Sequence, residues 1–325
     1  MFKIQNSILF IFFAINFSFS AYFIEKPSQY KSNVIVGANQ ISEYENMIKN
    51  KRIGVIANHT SVIFKKDSGH IHLVDSLIKL NFDIRKIFAP EHGFRGNEPN
   101  GANIDDEVDI KTGLEIISLH GKNRKYGEID DNSLNDIDVL IFDIQDVGVR
   151  FYTHISTLHY VMEASARNGI PLIVLDRPNP NAHYVDGPVL EAENKSFVGM
   201  HEVPIVYGLT IGEYAKMINN EGWLKNKIKS ELILIKLKNY DRNKEYDLPI
   251  IPSPNLPNKI SVNLYPSLCL FEGTNISIGR GTDLQFQIYG SPFLDQSKNI
   301  YKFIPKKNNG SKYPKHENVL CFGKN

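Results

Sequence analysis

Val139-Leu140-Ile141-Phe142-Asp143-Ile144-Gln145-Asp146 is the most apolar short run between residues 50 and 180, and it passes directly into two aspartates and a glutamine. A strand that is apolar at successive positions is buried on both faces, which is the environment of a parallel sheet. Runs of the same kind stand on either side. Residues 53–57 (Ile-Gly-Val-Ile-Ala) lead into Asn58-His59-Thr60-Ser61. Residues 84–89 end at Pro90-Glu91, residues 115–119 at His120-Gly121, and residues 171–175 at Asp176-Arg177. Between them lie helical spacings. Leu73, Leu77 and Leu80 share one face of a helix over 72–80, and a helix over 157–168 is stopped by Gly169. A third, over 210–221, opens on Thr210 with Glu213 three residues on, the capping-box spacing. Strands alternating with helices predict an α/β fold with a Rossmann-like parallel sheet.

In such sheets ligands bind at the carboxyl ends of the strands. Asn58, Glu91, His120, Asp143, Gln145, Asp176 and Arg177 all fall at those ends, so the register itself nominates a site. The first strand lacks the GxGxxG turn that cradles a dinucleotide, and Gly279-Arg280-Gly281 is too short to replace it. No G-x-S-x-G nucleophile elbow occurs. His70-Ile71-His72 reads as a surface helix start rather than a metal site. No cofactor or metal is therefore expected. Carboxylates carry the reading: paired acids facing one bond are the equipment of glycoside hydrolysis. Glu91, Asp143, Asp146 and Asp176 qualify by position, with Arg95, Arg150 and Arg177 as cations that keep one acid ionised. For each aspartate, helix capping or an internal ion pair is the competing reading.

The 325 residues suffice for two domains. The formal charge of +1 gives no reason to expect nucleic acid or an acidic membrane surface as partner. Residues 1–20 have the build of a secretory signal: Lys3, an apolar stretch over 8–17, then Ser18 and Ser20 at the −3 and −1 positions. The chain is expected to be exported, periplasmic or secreted, without a stable membrane anchor. Cys269 and Cys321 are either a pair or two separate thiols. Pro249, Pro252, Pro254 and Pro257 stiffen a connection. The boundary is placed there, giving a catalytic domain over 21–245 and a smaller α+β domain over 246–325. From residue 298 the chain is rich in lysine and asparagine, and this second domain is read as incomplete.

The stretch Phe88-Ala89-Pro90-Glu91-His92-Gly93-Phe94-Arg95-Gly96 sets an acid, an imidazole and a guanidinium between glycines at a strand end. Glu91 is the first choice for a chemical role, because glutamate is a poor loop cap. His92 is placed to orient or tune it, and Arg95 to anchor the loop.

Six motifs then stand in order. They are Pro90–Gly96, Phe142–Thr153 (Phe-Asp-Ile-Gln-Asp-Val-Gly-Val-Arg-Phe-Tyr-Thr), Leu175–Pro180 (Leu-Asp-Arg-Pro-Asn-Pro), Tyr207–Glu213, Pro252–Asn255, and Glu272–Asn275 through Gly279–Thr282. Together, from Ile53 onward, the chain resembles the exo-β-N-acetylmuramidase family. The resemblance implies a Rossmann-like domain, a smaller α+β domain and a site in the cleft between them. It implies release of N-acetylmuramic acid from the non-reducing ends of peptidoglycan fragments, so that the expected partners are peptidoglycan-derived saccharides. Carried over, Glu91 is the catalytic carboxylate. Gln145, Asp146, Arg150, Tyr152, His154, Asp176, Arg177 and Asn179 line the site, and Arg280 and Thr282 are the second domain's contribution. The second catalytic group stays open among Asp143, Asp146, Glu213, Glu272 and the sugar's acetamido group. The lactyl carboxylate needs a cation, for which Arg150, Arg177 and Arg280 are candidates. Glu202 stands where the family more often has proline, which argues against it. A non-catalytic muropeptide-binding protein, an inactive shortened homologue, and an esterase or amidase are the rival readings.

Overall fold

The protein is described by a computed structural model covering residues 33–67, 69–91, 93–95, 106–120 and 127–325. The signal-like residues 1–20 and His92 lie outside the described residues. The strands are β1 (Arg52–Ala57), β2 (Val62–Phe64), β3 (His70–His72), β4 (Asp83–Ala89), β5 (Glu107–Val108), β6 (Glu115–Ser118), β7 (Val139–Asp143), β8 (Leu172–Leu175), β9 (Leu232–Ile235), β10 (Tyr289–Ser291), β11 (Tyr301–Phe303) and β12 (Cys321–Lys324). The helices are α1 (Ile41–Ile48), α2 (Leu73–Lys79), α3 (His154–Asn168), α4 (Ile211–Asn220) and α5 (Lys259–Leu268).

Seven strands form one sheet in the order β5-β6-β4-β1-β7-β8-β9. All pairs are parallel except β5 with β6. Leaving β5 aside, the order is the doubly wound 3-2-1-4-5-6 pattern, whose direction reverses between β1 and β7. Side chains alternate across this sheet as period two requires. Leu140 and Phe142 enter one core with Leu158, Val161 and Met162 of α3 and Tyr214 and Ile218 of α4. Val139 and Ile141 enter the other, with Tyr44 and Ile48 of α1 and Leu73 and Leu77 of α2. The sheet is thus buried on both faces, and its middle strands must be apolar throughout.

Local signals act where they stand. Thr210 and Glu213 form the reciprocal capping box at the start of α4. His70–His72 is a short strand that leads into α2, and its last residue, His72, is buried and not on the surface: its ring accepts from Val74 N–H and meets the Asn58 carbonyl at 2.9 Å. Burial pushes that imidazole down to about 4, so it is a neutral cap on α2.

The lysine- and asparagine-rich region folds as well. β10, β12 and β11 form an antiparallel sheet that encloses Ile288, Phe303 and Cys321. A further apolar cluster, including Val149, Tyr152, Leu256, Tyr265 and Phe286, joins this part to the loop after β7. Helix α5 opens on a second capping box, Asn258 with Ser261. It contains Pro266, which has no N–H for the carbonyl four residues back. That carbonyl, Val262 O, is instead met at 3.4 Å by Nδ2 of the buried Asn181. Cys269 and Cys321 are separate thiols.

Candidate active site

The crevice between the ends of β1 and β7, where this topology customarily binds a ligand, is filled by the chain itself. Arg177 donates to both oxygens of Asp143, at 2.6 and 2.8 Å, and to Val62 O at 3.0 Å. The two side chains are 2% and 0% exposed. Ser61 Oγ donates to the Asp143 carbonyl, and the Thr60 hydroxyl accepts from Gln145 N–H while donating to Asn58 Oδ1. Gln145 spends its amide on the carbonyls of Asp146 and Pro178. Asp176 is a cap: it accepts from Thr210 Oγ1 and from the N–H of Gly212 at the head of α4. Asn179 braces the neighbouring loop through Leu209 O and Asn181 N–H. Asn58, Asp143, Gln145, Asp176, Arg177 and Asn179 therefore hold the sheet's upper edge together, and none of them opens onto the cleft described next.

That cleft lies to one side, over the loops after β4 and β7. It has a volume of about 350 Å³, near the lower end of ligand pockets, roughly 300–1,000 Å³. Glu91 reaches it from the β4 loop, which is fastened by Arg95. The Arg95 guanidinium pairs with Asp109 at 2.8 Å and Asp75 at 3.4 Å, and lies 4.3 Å from the Phe94 ring centre. Arg95 is thus an anchor and not a wall of the cleft. Thr153 precedes α3 and gives that helix no side-chain cap. Its hydroxyl donates to Glu91 Oε2 instead, at 3.2 Å. Tyr152 and His154 flank it edge to face, 4.8 Å between ring centres, and both line the cleft. The Tyr152 hydroxyl donates to Pro252 O at 2.9 Å, tying this wall to the opposite one.

The facing wall comes from residues 253–286. Arg280 sits between two glycines whose φ angles, +79° and +80°, suit no side chain, and a Cβ on Gly281 would come within 2.6 Å of Lys306 O. The turn presents Arg280 so that Nε donates to Glu272 Oε1 at 2.7 Å, with the guanidinium 4.9 Å from the Phe286 ring centre. The Cys269 thiol donates to Glu272 Oε2 at 3.4 Å, and burial pushes its pKa far up, so it is a donor and not a nucleophile. Thr282 stays in its own turn, bonded to Gly279 O.

Among the described residues, Glu91 and Glu272 are the carboxylates lining this cleft. Asp146 is buried, its Oδ2 accepting from Gly148 N–H and Tyr207 O–H and its Oδ1 without a partner among the described residues. Burial pushes its pKa up to about 7. Glu213 is committed to its capping box and to Arg242, and Glu202 to Lys195 at the surface. Of the three candidate cations, Arg150 donates to Pro188 O and Val203 O and Arg177 is sealed with Asp143. Arg280 is the one that faces the cleft. Sequence reasoning left Thr153, Ser253 and Asn255 unnominated, although all three lie inside quoted motifs. Asn255 is buried against the cleft with Oδ1 unpartnered among the described residues.

The N-terminal profile of the exo-β-N-acetylmuramidase NamZ matches residues 53–260, and the C-terminal profile matches residues 263–325. The chain belongs to the exo-β-N-acetylmuramidase family. The peptidoglycan β-N-acetylmuramidase NamZ of Bacillus subtilis (strain 168) is 43% identical over 305 residues, spanning 87% of this chain and 69% of that protein. The crystal structure of a DUF1343 family protein from Bacteroides fragilis NCTC 9343 superimposes with a TM-score of 0.81 at 46% identity, covering 90% of this chain and 76% of that one. A second protein of that family and organism gives 0.76 at 31% identity over the same shares. The exo-β-N-acetylmuramidase motifs quoted above thus fall in two groups. One builds the cleft walls; the other, around Asp143 and Asp176, braces the sheet beneath them.

Proposed function

We propose that the chain hydrolyses the β-glycosidic bond of a terminal N-acetylmuramic acid, releasing that sugar from the non-reducing ends of peptidoglycan fragments during cell-wall turnover. One observation carries the assignment of roles: Glu91 stands on an anchored loop, held by Thr153, in a cleft whose facing wall presents Arg280. Glu91 is the general acid that protonates the leaving oxygen. Thr153 holds the carboxyl in place through Oε2. The terminal nitrogens of Arg280, not engaged by Glu272, take the lactyl carboxylate. A cleft of this size holds one hexosamine, which suits cutting from a chain end.

The second group is Glu272 or the sugar's acetamido group, since Asp143, Asp146 and Glu213 are turned elsewhere. The anomer released first separates them. Inversion assigns Glu272 as base to a water; retention, with no turnover of a glycoside lacking the acetamido group, assigns the substrate.

The test is Glu91→Gln on a chromogenic β-N-acetylmuramide. A fall in kcat of about 10²- to 10⁴-fold with unchanged circular dichroism supports the role. Full activity sinks it, and tight binding without turnover by the wild type points to a muropeptide-binding protein. We further infer export from residues 1–20. Amino-terminal sequencing of the protein from the producing cell should begin near Ala21, and a retained Met1 would overturn that reading.

A further inference from the structure

A second hollow, of about 250 Å³, lies next to the first and shares Glu272 and Arg280 with it. Its other polar lining is Ser277, Ser311, Lys312, Tyr313 and Lys315. Three cations face one acid there, and that acid is already paired with Arg280 at 2.7 Å. The Ser277 side chain is the observation that points to a ligand. The residue is 2% exposed, yet its hydroxyl has no hydrogen-bond partner among the described residues. A buried hydroxyl left unmatched costs free energy, on the order of 1–3 kcal/mol. Tyr313 is the opposite case: a large aromatic residue 84% exposed at the edge of a polar hollow.

We infer that this hollow is a subsite for the glycan chain beyond the bond that is cut. The ligand is the next muramic acid residue of a peptide-free strand, bearing its own lactyl carboxylate. The inference rests on the hydrolase reading for the neighbouring cleft, with the terminal sugar on the Glu91 side of the Glu272–Arg280 pair. An alternating strand of this kind repeats a carboxylate on every second sugar. A cationic hollow that takes the sugar two on from the terminal one therefore meets charge again. Lys312 and Lys315 supply the attraction, Ser277 donates to the carboxylate or a sugar hydroxyl, and the Tyr313 ring offers a flat apolar face for a pyranose. Lys315 is held in place by donating to the carbonyls of Glu272 and Thr274, so its charge stays at the hollow's edge.

The test compares two peptide-free ligands with non-reducing muramic acid ends, the disaccharide and the tetrasaccharide, titrated calorimetrically into the Glu91→Gln protein. The tetrasaccharide is expected to bind at least about fivefold tighter, the scale of one exposed ion pair with a stacking contact. Lys312→Ala and Tyr313→Ala should each reduce that ratio toward one while leaving disaccharide affinity and wild-type-background turnover of the chromogenic monosaccharide glycoside unchanged. Equal affinity for the two ligands in the parent protein refutes the subsite, as does a length preference that survives both substitutions. Neither result bears on the cleft, whose reading stands or falls on the chromogenic glycoside. A ratio reduced only at low ionic strength by Lys312→Ala, and not at all by Tyr313→Ala, would show nonspecific attraction of an anion and also overturns the inference.

Discussion

Replacing Arg177 with methionine separates a structural cation from a substrate-binding one. The structure gives the pair full burial, two bonds of 2.6 and 2.8 Å to Asp143, and a third bond to Val62 O at the start of β2. Methionine matches the length of the aliphatic stem but leaves the Asp143 carboxylate buried without a counter-charge. Breaking a buried pair from one side costs about 3–5 kcal/mol. At about 2–4 °C per kcal/mol for a domain of 150–250 residues, Tm should drop by roughly 6–20 °C. The double variant Arg177→Met/Asp143→Leu removes the stranded charge as well, so it should recover most of the loss. Urea and thermal unfolding of the three proteins measure this, together with KM on the chromogenic glycoside. KM should stay within about twofold wherever the protein is folded, because Arg280 is the cation that faces the cleft. An Arg177→Met protein as stable as wild type but with KM raised tenfold or more would refute the reasoning and return Arg177 to the substrate.

Three further outcomes follow from single contacts. Thr153→Val removes the hydroxyl bonded to Glu91 Oε2, so kcat should fall about fivefold, the scale of one net hydrogen bond, while Thr153→Ser restores it. Gly279→Ala forces a Cβ into a φ of +79° and against the Leu284 carbonyl; it should displace Arg280 and raise KM for muramides more than for glucosaminides, which steady-state kinetics on both substrates will show. For Asp146 the carboxyl is pushed up to about 7 from 3.8 by burial. The native state therefore keeps a proton over roughly pH 4–7 that the unfolded chain has released, so this contribution favours folding at low pH and is lost as pH rises through 7. At 1.36 kcal/mol per pKa unit it is on the order of 4 kcal/mol, reduced by about 1–3 kcal/mol when Asp146→Asn buries an amide nitrogen where Oδ1 has no partner among the described residues. Urea midpoints from pH 5 to 8 should fall more steeply for wild type than for the variant, which keeps the smaller contribution of Asp176, itself pushed up to about 6 by burial; parallel curves would contradict the shift.

The sheet was legible because its middle strands are buried on both faces, and burial of that kind leaves nothing but apolar residues to read. The capping box at Thr210 was legible for a similarly local reason. Helix α5 was hidden by the prolines before it and by Pro266 within it, although Asn258 and Ser261 carry a cap signature of their own. Three-stranded pairing near the C-terminus was hidden because strands of three or four residues have too short a period to stand out. In the site, strand-end position selected the right edge of the sheet but did not distinguish groups that face a cleft from groups that plug a crevice. Asp143 and Arg177 look identical in sequence to catalytic partners; only their mutual 2.6 Å contact tells them apart. Glu91 and Arg280 were separable from them because each stands in a glycine-containing loop and not at a helix start or inside a strand end packed by its neighbours.

The bond from Asn181 to Val262 O reaches across 81 positions of the chain to repair the gap that Pro266 leaves in α5. A helix whose ladder is completed from within needs only its own residues to form. This one is completed from the loop that follows β8. The hydrogen-bond order of α5, which holds up the wall bearing Tyr265, is thereby tied to the sheet's assembly. Amide exchange should find the first turns of α5 opening together with the Asn179–Asn181 loop, and not as an independent fraying unit. The wall of the cleft that carries Tyr265 is thus coupled to a loop that lines no part of the cleft.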